Sequence, residues 1–138
     1  MENSSIRKIL TGYTNIAVVG ISDDPTKPSN YVAKYLQSNG YAIIPINPKI
    51  DIWEGIPAYP SLTSAHCEIE VVCIFRKPEF VLEIVKEAIS ISAKAIWMQE
   101  GIVNDEAAKL ALQHGLLVVM DKCMKKEHEK LKLEYSSN

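Results

Sequence analysis

Short apolar runs recur along the chain, and segments with a helical spacing of apolar residues separate them. Runs of this length without polar alternation are typical of strands buried on both faces, as the strands of a parallel sheet are. Gly20 ends the first run, and the Asn47-Pro48 pair ends the second because proline removes a backbone donor. The predicted strands comprise residues 16–19, 41–46, 71–75, 95–98 and 116–120.

The intervening segments place apolar residues at the i, i+3, i+4 and i+7 positions of amphipathic helices. Ser4 or Ser5 is the predicted N-cap of a leading helix that stops at Gly12, and Ser29 is the predicted N-cap of the second helix. The helical stripes cover residues 6–13, 32–36, 81–88 and 107–114, and a charged helix is predicted over about 123–133.

This alternation predicts an α/β, Rossmann-like, three-layer fold: a five-stranded, mostly parallel sheet with helices on both faces. Residues 48–68 interrupt the alternation and are predicted as a loop with one short helical turn near residues 61–62. Residues 136–138 are predicted as a frayed tail. We therefore expect a single domain over residues 1–138, with its core at about 10–131.

Composition narrows the classes of partner. A net charge of −2 without a long basic run argues against nucleic acid. The N-terminus lacks a signal pattern and no apolar run approaches membrane-spanning length, so no membrane partner is expected. Cys67, Cys73 and Cys123 form an odd set without a Cys-x-x-Cys motif, which argues against a disulfide framework and a zinc site. We expect free thiols in the cytoplasm.

Ligands of open α/β sheets bind outside the carboxyl ends of the strands. The loops expected there are polar and carry several cations, which suits an anionic ligand. In the first loop, Gly20 ends the strand and allows a tight turn and close approach of a phosphate. The loop lacks the Gly-x-Gly-x-x-Gly pattern and instead contains Lys27, a cation able to wrap a phosphate group. Nucleotide binding is the hypothesis that this loop favours.

The end of the second predicted strand bears on which nucleotide is bound. An NAD site places an acidic residue there to accept hydrogen bonds from the ribose. The chain has Asn47, Pro48 and Lys49 instead, and a lysine attracts a phosphorylated ribose. NADP and coenzyme A both carry such a phosphate, so the residues alone leave both ligands open.

Candidates for catalysis are few. His66, His114 and His128 have no obvious nucleophile or acid partner along the sequence. Cys73 is predicted to lie in the core, in the middle of a strand. Cys123 follows the fifth strand at the functional edge, where a thiol can be either reactive or packed.

Read in order, these loops resemble the small stand-alone CoA-binding domain family, which is related to the N-terminal domain of the succinyl-CoA synthetase α subunit. The resemblance covers about residues 10–131. The matching stretches are VVGIS at 18–22, KPS at 27–29, IPINPK at 44–49, AYPSL at 58–62, FRKPE at 75–79, AKAIWMQEGI at 93–102 and VMDKC at 119–123.

The resemblance implies that coenzyme A or an acyl-CoA binds at the carboxyl edge of the sheet. Residues of the first loop would surround the phosphates: Gly20, Ile21, Ser22, Lys27, Pro28 and Ser29. The second loop would hold the adenosine and its 3′-phosphate through Asn47, Pro48 and Lys49. The third loop would line the path of the adenine and the pantetheine with Phe75, Arg76 and Pro78. The thiol arm would end near Gln99 and Gly101.

The chain departs from the synthetase in two respects. It stops after the first domain, without the domain that carries the phosphorylated histidine, and residues 121–123 replace a glycine-proline-asparagine type turn. We therefore expect CoA binding without complete catalytic machinery and assign no catalytic residue and no metal. The alternatives are an NADP-dependent oxidoreductase and a subunit that completes a CoA ligase with another chain, so a protein partner stays open.

Overall fold

The structure, a computed structural model, describes residues 2–136. Its main sheet has five strands, all parallel, in the order β2-β1-β5-β6-β7. These strands are β1 (Asn15–Val19), β2 (Ala42–Ile46), β5 (Val71–Ile74), β6 (Ala95–Met98) and β7 (Leu117–Val119). The predicted five-stranded α/β sheet is confirmed, and its strands are buried because helices cover both faces.

Within residues 2–136, five α-helices flank the sheet: α1 (Glu2–Gly12), α2 (Pro28–Ser38), α3 (Val81–Ser90), α4 (Asp105–Gln113) and α5 (Met124–Ser136). A short 3₁₀ helix (Pro78–Phe80) precedes α3. Residues of β1 alternate between the two faces: Ile16 and Val18 pack with α1, α2 and α5, whereas Ala17 and Val19 pack with α3 and α4. Within residues 2–136, no helix combines the length and apolar character needed to cross a membrane.

The predicted caps of the first two helices are wrong. Helix α1 already begins at Glu2, so Ser4 and Ser5 lie inside its first turns. Helix α2 begins at Pro28, whose fixed φ suits the first helical position, and the extended residue Lys27 takes the N-cap place that was predicted for Ser29. At the other end, Ser136 closes α5, while the rest of the predicted tail, residues 137–138, lies outside the described residues.

The segment predicted as an irregular loop contains a small antiparallel hairpin, β3 (Ile52–Trp53) and β4 (Ile56–Pro57). Glu54 and Gly55, with φ of 50° and 77°, form its turn, and two positive φ values in succession are typical of a tight hairpin turn. The strands have two residues each, too few for alternation to be recognised in sequence. Beyond the hairpin, the predicted turn at Ser61 and Leu62 is present as two hydrogen-bonded turns.

The order of the strands creates a crevice at one place in the sheet. From β1 the chain crosses to β2 on one side and later returns to β5 on the other. The helix that follows β1, α2, therefore packs on one face of the sheet and the helix that follows β5, α3, on the other. The winding direction reverses between these two strands, which is the position at which open α/β sheets bind ligands.

Candidate functional site

Two adjoining clefts open at the carboxyl ends of β1, β2 and β5, with volumes of about 420 and about 500 Å³. Such volumes lie within the usual range for small-molecule sites. Cleft A is lined by Val19, Gly20, Ile46, Asn47, Pro48, Lys49, Pro60, Ser61, Leu62, Phe75, Arg76, Ile84 and Glu87. Cleft B is lined by Gly20, Ser22, Lys27, Pro28, Ser29, Phe75, Arg76, Lys77, Pro78, Gly101 and Ile102. The two clefts share Gly20, Phe75 and Arg76.

Gly20 lets the first loop pack against the third. Its φ is +86°, and a Cβ atom placed there would lie 2.6 Å from the Phe75 carbonyl oxygen. The Gly20 amide donates to the Ile46 carbonyl at 2.9 Å, which ties the same point to the end of β2. The sequence favoured a glycine for the close approach of a phosphate, and the structure adds that the protein's own backbone already requires it.

Asn47 links the second loop to the first. Its Nδ2 donates to the Ile21 carbonyl at 2.8 Å, and its Oδ1 accepts from the Lys49 amide at 2.8 Å. The second bond is an Asx turn, which reverses the chain directly after β2. It sets the backbone position of Lys49, whose side chain lines cleft A and is exposed.

The clefts carry more positive than negative charge. Lys27, Lys49, Arg76 and Lys77 line them, and none of the four has a carboxylate within ion-pair distance among the described residues. Glu87 is the one acidic side chain in their described linings. A chain with a net charge of −2 therefore concentrates unpaired cations at this edge, which favours a polyanionic ligand.

Two local contacts help to fix the positions of Arg76 and Lys27. The Arg76 guanidinium lies 4.4 Å above the centre of the Phe80 ring, within the range of a cation–π contact. Before Lys27, the Asp24 carboxylate accepts from the Thr26 amide at 2.9 Å and from its hydroxyl at 2.8 Å. These bonds lower the pKa of Asp24, so the carboxylate of Asp24 stays ionised in the turn that precedes Lys27.

Three predicted site residues are buried. Ser29 is 7% exposed and lines cleft B at the start of α2. Ile21 is fully buried in the core, so only its main chain can reach a ligand. Gln99 is 3% exposed: its Nε2 donates to Cys73 Sγ at 2.9 Å and its Oε1 accepts from the Met124 amide at 3.2 Å. Cys73 is itself a fully buried core residue, and this burial raises the pKa of its thiol.

The remaining loop residues lie at the rim. The Gly101 amide donates to Asp121 Oδ1 at 2.7 Å, and both residues have a positive φ. This bond joins the loops after β6 and β7 beside cleft B. A third cavity of about 230 Å³ borders Pro28, Gln99 and Cys123, and it touches cleft B through Pro28.

The histidines lie away from clefts A and B. His66 is exposed beside the Tyr59 ring, and the ring of His114 contacts the Leu110 carbonyl of its own helix. His128 of α5 packs edge-on against the rings of Tyr35 and Tyr41. Within the part of the chain that is described, no cluster of His, Cys, Asp or Glu is placed to hold a metal ion.

Several residues that line clefts A and B were not predicted as site residues from the sequence. Lys77 sits between two residues that were assigned, and its charge in the strand-end loop pointed to it. Residues 60–62 close cleft A, and they belong to the AYPSL stretch that carried the family resemblance. Ile102 had no comparable indication, because an apolar residue in a loop does not distinguish a ligand contact from core packing.

The sequence places the chain in a family. Residues 14–129 match the CoA binding domain family, so the chain belongs to this family. The Bacillus subtilis relative called uncharacterized protein YneT is 40% identical over 131 residues, which span 93% of this chain and 97% of that protein.

Solved structures share the fold. A hypothetical protein from Pyrococcus horikoshii is 43% identical, with a TM-score of 0.91 over 95% of this chain and 92% of that chain. An acetyl-coenzyme A synthetase 1 from Ca. Korarchaeum cryptofilum, described as dinucleotide forming, is 25% identical with a TM-score of 0.71. This match covers 81% of the present chain and 26% of the synthetase, so the chain is similar to one part of that protein.

Proposed function

We propose that the chain binds coenzyme A, or an acyl-CoA, along clefts A and B. The observation that carries the proposal is a set of four cationic side chains without an ion-pair partner among the described residues. They surround a crevice that has one acidic residue in its described lining, at the carboxyl edge of the sheet where the winding direction of the chain reverses. Coenzyme A carries a pyrophosphate and a 3′-phosphate, which such a set can neutralise. Membership of the CoA binding domain family supports the same ligand.

Cleft A suits the adenosine end of the ligand. Ile46, Leu62 and Ile84 provide an apolar wall for a flat base, and Pro60 with Phe75 extends it. Lys49 lies on the rim beside the end of β2, the position from which dinucleotide folds read the ribose. We assign Lys49 to the 3′-phosphate, with Asn47 and Pro48 shaping the turn beneath it.

Cleft B suits the pyrophosphate and the pantetheine arm. Lys27 and Ser29 flank the start of α2, where the Ser29 N–H, which has no acceptor among the described residues, and the helix dipole favour an anion. Phe75, Pro78 and Ile102 offer an apolar path that leads to Gly101 at the far rim. We place the thiol arm along this path. Gln99 then acts from below it, by fixing the start of α5.

We further propose that the chain works as one CoA-binding unit without complete catalytic machinery of its own. The described linings of clefts A and B contain no histidine or cysteine that could act as a base or nucleophile. Three free cysteines suit a reducing compartment such as the cytoplasm.

A second candidate is a subunit that completes a CoA ligase with another chain. The observation that favours it is the similarity to about a quarter of the length of an acetyl-coenzyme A synthetase. Copurification of a partner chain, with thioester synthesis by the pair and none by the isolated chain, would distinguish this candidate from a stand-alone binder.

Titration calorimetry of two lysine variants tests the proposed binding mode. Lys49→Ala should weaken CoA binding about tenfold and largely remove the preference for CoA over dephospho-CoA, because a charge-assisted contact to the 3′-phosphate is lost. Lys27→Ala should weaken both ligands together, because both carry the pyrophosphate. Lys109→Ala, on the exposed face of α4, is the matched control. Unchanged selectivity in Lys49→Ala would contradict the assignment of Lys49.

A further inference from the structure

Two consecutive carbonyls of the first loop are held by side chains from three different segments. Asn47 Nδ2 donates to the Ile21 carbonyl at 2.8 Å. Trp53 Nε1 and Asn30 Nδ2 both donate to the Ser22 carbonyl, at 3.1 and 2.8 Å. Trp53 and Asn30 are each 1% exposed. The two carbonyls are therefore fixed toward the buried side of the loop.

A planar trans peptide directs its carbonyl and the next N–H to opposite sides. The Ser22 N–H opposes the Ile21 carbonyl, and the Asp23 N–H opposes the Ser22 carbonyl. Neither N–H has an acceptor among the described residues. Fixing both carbonyls inward thus turns two successive N–H groups outward, and successive N–H groups of this kind favour an anion. Ser22 lines cleft B, and Asp23 follows it directly on the exposed part of the loop.

We propose that Trp53 and Asn30 are positioning residues for the pyrophosphate of the ligand. They hold the Ser22 carbonyl inward and thereby direct the Asp23 N–H toward the phosphate oxygens. Neither side chain is part of the lining of cleft A or cleft B, so their effect passes through the loop backbone. The inference rests on the proposed function and gives the β3–β4 hairpin a part in it.

The two positioning residues share one acceptor, which gives the idea a specific consequence. The pyrophosphate is common to CoA and dephospho-CoA, whereas the 3′-phosphate is absent from dephospho-CoA. Loss of either donor must therefore weaken both ligands equally and leave their affinity ratio unchanged. A loss of the Lys49 contact has the opposite pattern, because it changes the ratio.

Trp53→Phe and Asn30→Leu remove one donor each and introduce no charge. Asn30→Leu keeps a similar volume, whereas Trp53→Phe also removes part of a buried ring. Trp97→Phe is the matched control, because Trp97 is also buried and its Nε1 donates to the Lys122 carbonyl at 2.8 Å, away from the first loop. Titration calorimetry with both ligands should show a roughly two- to tenfold loss of affinity in Trp53→Phe and Asn30→Leu. The control should keep wild-type affinity, although thermal melting should show destabilisation in both tryptophan variants.

Wild-type affinity in folded Trp53→Phe and Asn30→Leu would overturn the inference and leave CoA binding intact. A loss confined to CoA, with dephospho-CoA unaffected, would also overturn it, because the effect would then lie at the 3′-phosphate. If Trp53→Phe does not fold, the result for Asn30→Leu decides. If the wild-type protein binds neither ligand, the proposed function fails and the inference fails with it.

Discussion

Gly20 is one of three residues shared by the two clefts, and its lack of a side chain determines how closely the first and third loops approach. The amide of the same residue donates a hydrogen bond to the Ile46 carbonyl at the end of β2. Its role combines a positive φ with the proximity of the Phe75 carbonyl. Sequence alone indicated the first of these requirements through the position of Gly20 at the end of a strand, and it could not indicate the second.

Gly20→Ala should destabilise the protein and weaken CoA binding. The positive φ alone costs roughly 1–2 kcal/mol for a residue with a Cβ atom, and the contact with the Phe75 carbonyl forces the third loop to shift. Gly115→Ala is the control, because Gly115 also has a positive φ of 81°, but an added Cβ would meet nothing beyond its chain neighbours within 4 Å. Urea denaturation should show a larger loss of stability in Gly20→Ala than in Gly115→Ala. CoA titration should show a loss of affinity in Gly20→Ala and none in Gly115→Ala. Equal effects in both variants would contradict the packing role.

The three cysteines should differ in reactivity toward thiol reagents. Cys73 is buried and accepts from Gln99, and burial raises the pKa of its thiol. Cys67 is exposed and Cys123 is half-buried at the third cavity. Labelling followed by mass spectrometry should modify Cys67 and Cys123 well before Cys73 in the native protein. Equal rates would show that the core around β5 opens freely.

At the scale of elements, the regular units could be predicted and the irregular one could not. The five strands and five helices have enough residues for a continuous apolar run or a 3.6-residue stripe to be recognised, as in β6 and α3. The β3–β4 hairpin has too few residues for either pattern. The sequence did not tie Trp53 to the first loop, because its partner, the Ser22 carbonyl, lies 31 positions earlier in the chain.

Helix α5 should confer a pH dependence on stability through His128. Burial and the nearby Lys132 lower the pKa of His128 from its usual 6.5, with Glu129 opposing them, and its Nδ1 contacts the Tyr35 hydroxyl at 2.8 Å. Because the unfolded chain then binds a proton more readily than the folded one, the free energy of unfolding should fall as pH drops below about 6.5, down to the lowered pKa of the folded state.

Urea denaturation at about pH 7.5 and about pH 5.5 measures this effect. His128→Gln should reduce the loss of stability between the two values, since the titrating group is gone. His114→Gln serves as the control, because His114 is exposed directly after the end of α4, and it should keep the wild-type pH dependence. A wild-type pH dependence in His128→Gln would contradict the role of this histidine.

At the scale of the whole molecule, parallel topology and charge distribution act together. The strand order brings the loops after β1, β2 and β5 to one edge, and these loops carry the unpaired cations Lys27, Lys49, Arg76 and Lys77. The loops could be located from sequence because parallel strands end at a common edge. The division of this edge into two clefts could not be predicted from the sequence, since it depends on how closely the first and third loops pack.

The most direct measurement is a calorimetric titration of the wild-type protein with CoA, dephospho-CoA and NADP under identical salt conditions. Coenzyme A should bind with one ligand per chain, dephospho-CoA about tenfold more weakly, and NADP more weakly than CoA, because only CoA offers the pyrophosphate, the 3′-phosphate and the pantetheine arm together. Equal affinity for CoA and dephospho-CoA would contradict the 3′-phosphate site at Lys49. Absence of CoA binding, or a clear preference for NADP, would contradict the proposal that clefts A and B form a coenzyme A site.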